Sequence, residues 1–454
     1  MKALHRCPTL VLLLLMASAV PLPAFAGTDP QNRPVNRVPL AAILNGDAAC
    51  AFAFRCFSGP AALDRDTAVV GTTNSSLAIY LRNASNGWAL QQVLVDPDFP
   101  PTPFFVNNGF GSSVGLSGDT LITNLERSFP LEVFRRHDGV WTRTQLIPGK
   151  PVPGRGIFVS EILLDGSTAL VNVFYEYAPG ARGPAGAVLV FNRQRNGQFV
   201  QEAEILPNRN QPQSGFNFDI ALQGHTALLG SITANGSRGA VYVYRKIGNR
   251  WLLLQTLTAP DAVAGSQFGL TVRISGLRIV VAAPEQPNAA APARPGAVYT
   301  FIRSPLRWRA RDKLVAPFEP RGEPGSSTDV ELEYNFASTI AFSGRRLLVG
   351  LSSRGNTSGF DLPFGALLYE RVPGQWIETG QIVKEENTLT VFASMIDRDT
   401  ALVGASESPF GSFAATYALP PLLANPAQVT PLSQGDAADY EEAFDQQTEI
   451  QQQE

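Results

Sequence analysis

The sequence predicts an all-β chain: a seven-bladed β-propeller of four-stranded antiparallel blades, with the last blade closed by the N-terminal strand. Three recurring features carry that expectation. All five tryptophans, Trp88, Trp141, Trp251, Trp308 and Trp376, follow a polar or Gly-containing turn and open a strand-like run, and Phe199 after Asn-Gly-Gln fills the one gap. A second motif recurs seven times: an apolar residue, a short turn, then three or four β-formers, as in Leu63-Asp64-Arg65-Asp66-Thr67-Ala68-Val69 and Leu116-Ser117-Gly118-Asp119-Thr120-Leu121. The third is Gly-Ala-Val followed by alternating aromatics, cleanest in Gly239-Ala240-Val241-Tyr242-Val243-Tyr244. Period-2 alternation bounded by tight turns is the mark of short paired strands. Four such strands repeated about every 50 residues make propeller blades, because one blade cannot cover both of its faces and neighbours in a ring can.

Taken from the start, residues 1–26 read as a secretory signal peptide. A basic opening precedes Leu10-Val11-Leu12-Leu13-Leu14-Leu15-Met16, and Ala24-Phe25-Ala26 supplies the small residues of a cleavage site. The apolar run is too short to span a bilayer, so no membrane span is expected. Residues 27–419 form the propeller. Val38 to about Asn45 resembles Leu253–Ala259 in its apolar run, whereas the seventh motif is followed by Ser412–Ala418 and then by no Trp-type strand. The N-terminal run is therefore expected to supply the missing outer strand and remove a free sheet edge. Cys50 and Cys56, the pair left after signal removal, fall in the loop behind that strand and read as one disulfide, with two free thiols as the alternative. The segment must fold back to bring them together, since a straight strand would hold them roughly 20 Å apart. After Pro420 the chain turns acidic: Gly435–Glu454 carries seven carboxylates and no Lys or Arg. Residues 420–454 are expected to be a disordered tail, a tether or a docking peptide.

Phe110-Gly111-Ser112-Ser113-Val114 and Phe268-Gly269 before the first hairpin turn, with Val281-Ala282-Ala283-Pro284 after it, resemble the FG-GAP repeat of integrin-alpha-like propellers. The resemblance spans about residues 38–418 and implies a divergent, secreted, bacterial member used in protein binding. Calcium-binding members carry an Asp-x-Asp-x-Asp-Gly-type loop at the turn between the first two strands. Here Asp64-Arg65-Asp66 and Asp397-Arg398-Asp399 are the nearest counterparts, on a two-residue turn. Ca2+ takes about six to eight oxygens, more than such a turn offers, so no calcium or other cofactor is expected.

A formal net charge of −3 gives no basic footprint for nucleic acid. Past the signal, His137 and His225 are isolated, and no His-Glu-x-x-His, Cys-x-x-Cys or Gly-rich phosphate loop occurs. With no catalytic or metal set legible, the expected function is an exported, secreted or periplasmic, non-catalytic interaction module for a protein or glycan. Recognition is expected on the loops that join the second strand to the third and one blade to the next. The residue types suited to it there are Tyr175, Tyr177, Arg182, Arg294, Arg354 and Asp361, aromatics and guanidinium groups fitting sugars and proteins alike. The rival expectation is a carbohydrate-active hydrolase or lyase on the same scaffold, which needs two carboxylates across a cleft. Asn-x-Ser/Thr triplets at Asn74, Asn83, Asn235 and Asn356 matter only in a glycosylating source.

Overall fold

The computed structural model describes residues 38, 40–44, 57–72, 75–84, 87–98, 109–125, 128–150, 155–177, 183, 185–207, 215–284, 296–305, 307–316, 334–353, 364–383, 388–397, 399–407 and 411–423. The chain forms seven four-stranded antiparallel sheets. Strand β1 (Leu40–Leu44) comes first, followed by blade 1: β2 (Phe57–Asp64), β3 (Thr67–Thr72), β4 (Leu77–Arg82) and β5 (Trp88–Leu94). Blade 2 is β6 (Val114–Ser117), β7 (Thr120–Leu125), β8 (Ser128–His137) and β9 (Val140–Ile147). Blade 3 is β10 (Arg155–Asp165), β11 (Thr168–Tyr177), β12 (Gly186–Arg193) and β13 (Phe199–Ile205). Blade 4 is β14 (Ile220–Gln223), β15 (Thr226–Ser231), β16 (Ala240–Ile247) and β17 (Arg250–Leu257). Blade 5 is β18 (Thr271–Ser275), β19 (Arg278–Ala283), β20 (Ala297–Arg303) and β21 (Trp308–Val315). Blade 6 is β22 (Tyr334–Ser343), β23 (Arg346–Ser353), β24 (Phe364–Val372) and β25 (Gln375–Val383). Blade 7 is β26 (Thr388–Asp397), β27 (Thr400–Glu407) and β28 (Gly411–Ala418), with β1 paired antiparallel outside β28, Leu44 opposite Ala414. Ala234–Ser237 forms a tight turn with Asn235, Gly236 and Ser237 in the left-handed region, and no regular helix occurs among the described residues.

The first strand of each blade lies innermost and touches the first strand of the next, from β2 against β6 round to β26 against β2. Buried side chains accordingly form clusters that straddle adjacent blades. Val298 of blade 5 packs with Phe336 and Trp376 of blade 6, and Leu44 of β1 with Val70 and Tyr80 of blade 1. Burial of this kind contributes about 25 cal/mol per Å² of apolar surface, and in a ring each blade collects it on two faces.

Two of the sequence motifs turn out to be opposite sides of one contact. Phe110, Phe216, Phe268 and Phe336 are all buried, and each is followed by a residue in the left-handed region: Gly111, Asn217, Gly269 and Ala337. Phe-Gly is thus one spelling of a Phe-then-left-handed step present in four blades, with Asn217 and Ala337 standing where Gly is easiest. This step sits directly on the glycine that opens the third strand of the preceding blade. A Cβ on Gly239 would lie 2.5 Å from the Phe268 nitrogen, one on Gly296 would overlap the Phe336 carbonyl, and one on Gly186 would lie 3.1 Å from Asn217 Oδ1.

Hydrogen bonds repeat the connection at two more radii. On the outer strands, Gln92 Nε2 donates to the Trp141 carbonyl (3.0 Å) and Gln92 Oε1 accepts the Trp141 N–H (2.9 Å). Gln145 does the same with Phe199 and Gln255 with Trp308, at 2.7–2.8 Å. At the hairpin turns, the last side chain of one inner strand accepts the N–H of the next blade's turn. The Gly118 N–H goes to Asp64, Gly166 to Ser117, Gly224 to Asp165, Gly276 to Gln223, Gly344 to Ser275, and Arg65 to Asp397. The last of these links blade 7 to blade 1, and Arg82 reinforces it by gripping Asp399 at 2.7 and 3.2 Å.

Candidate functional site

Chain direction places the loops between second and third strands, and those between blades, on one face of the ring. Blade 3 rises highest there among the blades whose side chains are described. Its inner ladder begins at Arg155 opposite Tyr177, whereas the ladder of blade 4 begins at Ile220 opposite Leu229. Counted from the turn, blade 3 carries six further rungs, an extension of roughly 20 Å at ~3.3 Å per residue. The sequence permits it because residues 155–165 and 168–177 hold no proline and a glycine only at Gly156. One side of the extension is braced by blade 2: Ser128 Oγ donates to the Ile157 carbonyl at 2.6 Å, and Phe129, Ile157 and Tyr177 each pack against the buried cluster shared by blades 2 and 3. The other side is open, with Phe158 44 % exposed and Glu176 exposed.

Tyr175 and Tyr177 meet edge to face, ring centroids 6.4 Å apart, and the Arg155 guanidinium lies 3.8 Å over the Tyr175 ring. Tyr175 donates its hydroxyl to Glu204 Oε1 at 2.7 Å. Burial, then this bond to the Glu204 carboxylate, holds the Tyr175 hydroxyl well above the ordinary phenol range. Tyr175 is a fixed neutral donor, and the stack makes Arg155 a positioned cation at the top of the hairpin.

Lower in the channel, three charged groups come from three successive inner strands. Glu161 on β10 accepts the Ile220 N–H. Asp219, just before β14, accepts the Val272 N–H at 2.7 Å and pairs with Arg273 Nη1 at 2.7 Å. The Asp219 and Arg273 side chains keep 17 % and 31 % of their surface exposed. Burial and then the Asp219 charge push Glu161 up to about 8 against the pull of Arg273. Burial likewise pushes Asp219 up, again opposed by Arg273. A protonated carboxyl, a carboxylate and a guanidinium in one passage can donate to, accept from and neutralise a polar ligand.

Of the residues singled out in the sequence, Tyr175 and Tyr177 are brought together, on strand β11 rather than in the loop where they were expected. Period 2 on β11 simply continues past the rung at which blades 2 and 4 stop. Tyr175 supports the face more than it presents it, being 9 % exposed. Arg182, Arg294, Arg354, Asp361, Cys50 and Cys56 lie outside the described residues. Sequence reading missed Arg155, Phe158, Glu161, Asp219 and Arg273; the available signal was a carboxylate within an inner-strand run, at Glu161, and another entering one, at Asp219. Gly111-Ser112-Ser113-Val114-Gly115 also has the Gly-x-Ser-x-Gly spacing of a nucleophile elbow. It leads into a strand rather than a helix, with Ser113 buried and its N–H donated to Asn124 Oδ1 at 2.8 Å, which makes it a structural turn.

Among the described residues no helix is long and apolar enough to cross a membrane, and no group of three His, Cys, Asp or Glu is placed to hold a metal ion. Residues 251–301 match the FG-GAP repeat, covering the outer strand of blade 4 and the first three strands of blade 5. Similar solved structures include the β-propeller domain of Cps50 (Swd1) from Myceliophteria thermophila: 13 % identity, TM-score 0.49, 79 % of this chain and 96 % of that one. A 6-phosphogluconolactonase-like protein of Bacteroides fragilis is similar at 10 % identity and TM-score 0.46, over 76 % of this chain and 92 % of that one. No curated protein matches the chain.

Proposed function

We propose that the chain is an exported interaction module that uses the loop face of its propeller, and above all the raised hairpin of blade 3, to bind a protein or glycan. The observation that carries this reading is the hairpin itself. Its ten rungs, six more than blade 4 carries, hold an exposed Phe158 on one face and a stacked Arg155–Tyr175–Tyr177 group on the other, on a scaffold locked to its neighbours by repeated bonds. An exposed aromatic edge with a positioned guanidinium on a rigid element suits recognition. The apolar leader and the FG-GAP match support export and extracellular binding. The test is binding of the mature protein to a glycan array and to its native extracellular milieu, repeated with Phe158→Ser combined with Arg155→Ala. A ligand retained by the wild type and lost at least tenfold by the double variant, with the circular dichroism spectrum unchanged, is expected. Equal binding by both proteins would remove the hairpin from the account.

The Glu161–Asp219–Arg273 group favours a second reading, a carbohydrate-active hydrolase or lyase working in the channel. Its carboxyls are engaged by backbone N–H groups and Arg273, which weighs toward a structural role. Turnover of a polysaccharide panel that disappears in Asp219→Asn would decide for the enzyme.

A further inference from the structure

At one position in the third strand, two residues before its last core aromatic, six blades bury Ala78, Leu189, Tyr242, Tyr299, Leu367 and Ala415. Blade 2 buries Glu132 there, with no exposed surface. Neither Glu132 oxygen makes a hydrogen bond; the nearest cation, Arg143 Nη1 on β9, stands 3.4 Å away. Arg143 is already shared: its Nη1 lies 3.6 Å from Asp96, itself buried, and its Nη2 bonds Asp98 at 2.8 Å. The charged groups facing Glu132 are thus Asp96 and Asp98 from the segment after β5 and Arg143 from β9, while Thr123, paired with it on β7, is neutral. Three carboxylates face one guanidinium. A buried carboxylate without hydrogen bonds is among the costliest groups a core can hold, so this one is relieved by a proton.

The group sits where blades 1 and 2 meet. Beside it is a cavity of about 470 Å³ bounded by Gln92, Pro97, Phe134, Trp141 and Arg143, and the paired Gln92–Trp141 bonds cross the same seam. We propose that this seam is a proton-controlled joint, tight while the Glu132 carboxyl is protonated and loosened when it ionises and draws water in through the cavity. Burial, followed by the Asp96 charge and opposed by Arg143, places that carboxyl at about 7. The proton is held more tightly folded than unfolded, so the joint is firmest below about pH 4.5 and loses stability as pH rises through about 7.

The experiment compares the wild type with Glu132→Gln and Glu132→Leu, the latter placing in blade 2 the residue blade 3 carries. Amide hydrogen exchange of Trp141 and its neighbours in β5 and β9, corrected for intrinsic rates, is read at pH 5.5 and 8.5. In the wild type the opening constant of these amides rises by roughly 30-fold between the two pH values, and in both variants it stays flat. Identical pH dependence in wild type and Glu132→Gln would overturn the proposal. Should neither variant fold, the Glu132 carbonyl stretch of wild-type protein, assigned by isotope editing, is titrated instead. A midpoint near 7 supports the joint, and one below 5 overturns it.

Discussion

Substituting alanine at three glycines separates the two costs that the ring imposes on its backbone. Gly276, at φ +60, has nothing within 4 Å of an added Cβ, so Gly276→Ala reports the left-handed conformation alone, about 1 kcal/mol. Gly296 needs no positive φ, but its Cβ would overlap the Phe336 carbonyl and lie 2.9 Å from Pro284 Cα. Those are backbone atoms of the next blade and of its own, so relief requires the blades to separate by roughly 1 Å, an overpacking cost of about 3 kcal/mol. Gly239 combines both, at φ +92 with Phe268 nitrogen 2.5 Å and carbonyl carbon 2.7 Å away, and about 4 kcal/mol is expected. For a ring of about 390 residues the unfolding entropy is roughly 0.8 kcal/mol/K, which converts these losses to about 1, 4 and 5 °C in Tm. Calorimetry or urea unfolding of the three single variants gives the order directly. If Gly296→Ala proves as mild as Gly276→Ala, the Phe step does not seat on the third strand of the blade before it and the blade-to-blade reasoning fails.

Replacing Gln255 by Ala strips two partners from the Trp308 backbone, and a loss of about 1–3 kcal/mol in urea unfolding is expected. Gln255→Glu should recover part of it near pH 4, where a protonated carboxyl can donate again. Asp397→Ala removes the turn bond between blades 7 and 1, so its effect of about 1 kcal/mol should appear first as faster amide exchange at Arg65. Glu161 is held protonated up to about pH 8 when folded, so its contribution is full below about pH 4.5 and declines toward pH 8. Glu161→Gln should therefore flatten the fall in Tm across that window; an unchanged profile would show that Glu161 does not titrate there.

The fold was legible because its determinants repeat. Each Trp or Phe199 opens an outer strand, and each Leu-to-β-former motif brackets an inner hairpin, since every blade solves one packing problem with one local pattern. The Phe step was harder to see: Asn217 and Ala337 share Gly111's conformation without its identity. The outer-strand link was written as Trp-x-x-x-Gln, at Trp88–Gln92, Trp141–Gln145 and Trp251–Gln255, yet its meaning depends on which strand of the next blade it reaches. The candidate sites lie deeper still. Glu161, Asp219 and Arg273 are separated by more than fifty residues at each step and meet only because successive inner strands line one channel. Glu132 looks like an ordinary alternating strand residue until its alignment with Leu189 and Tyr299 shows that it points into a core.

The most direct test of the ring concerns its ends. Ile43 on β1 lies opposite Ala415 on β28, while Val403 on β27 is one strand further in. Paired cysteines at 43 and 415, in a background lacking Cys50 and Cys56, should form an intramolecular disulfide on mild oxidation and raise the unfolding midpoint, whereas the 43 and 403 pair should stay reduced. A cross-link at 43 and 403 in its place, or at neither, would contradict a propeller whose last blade takes its outer strand from the start of the chain.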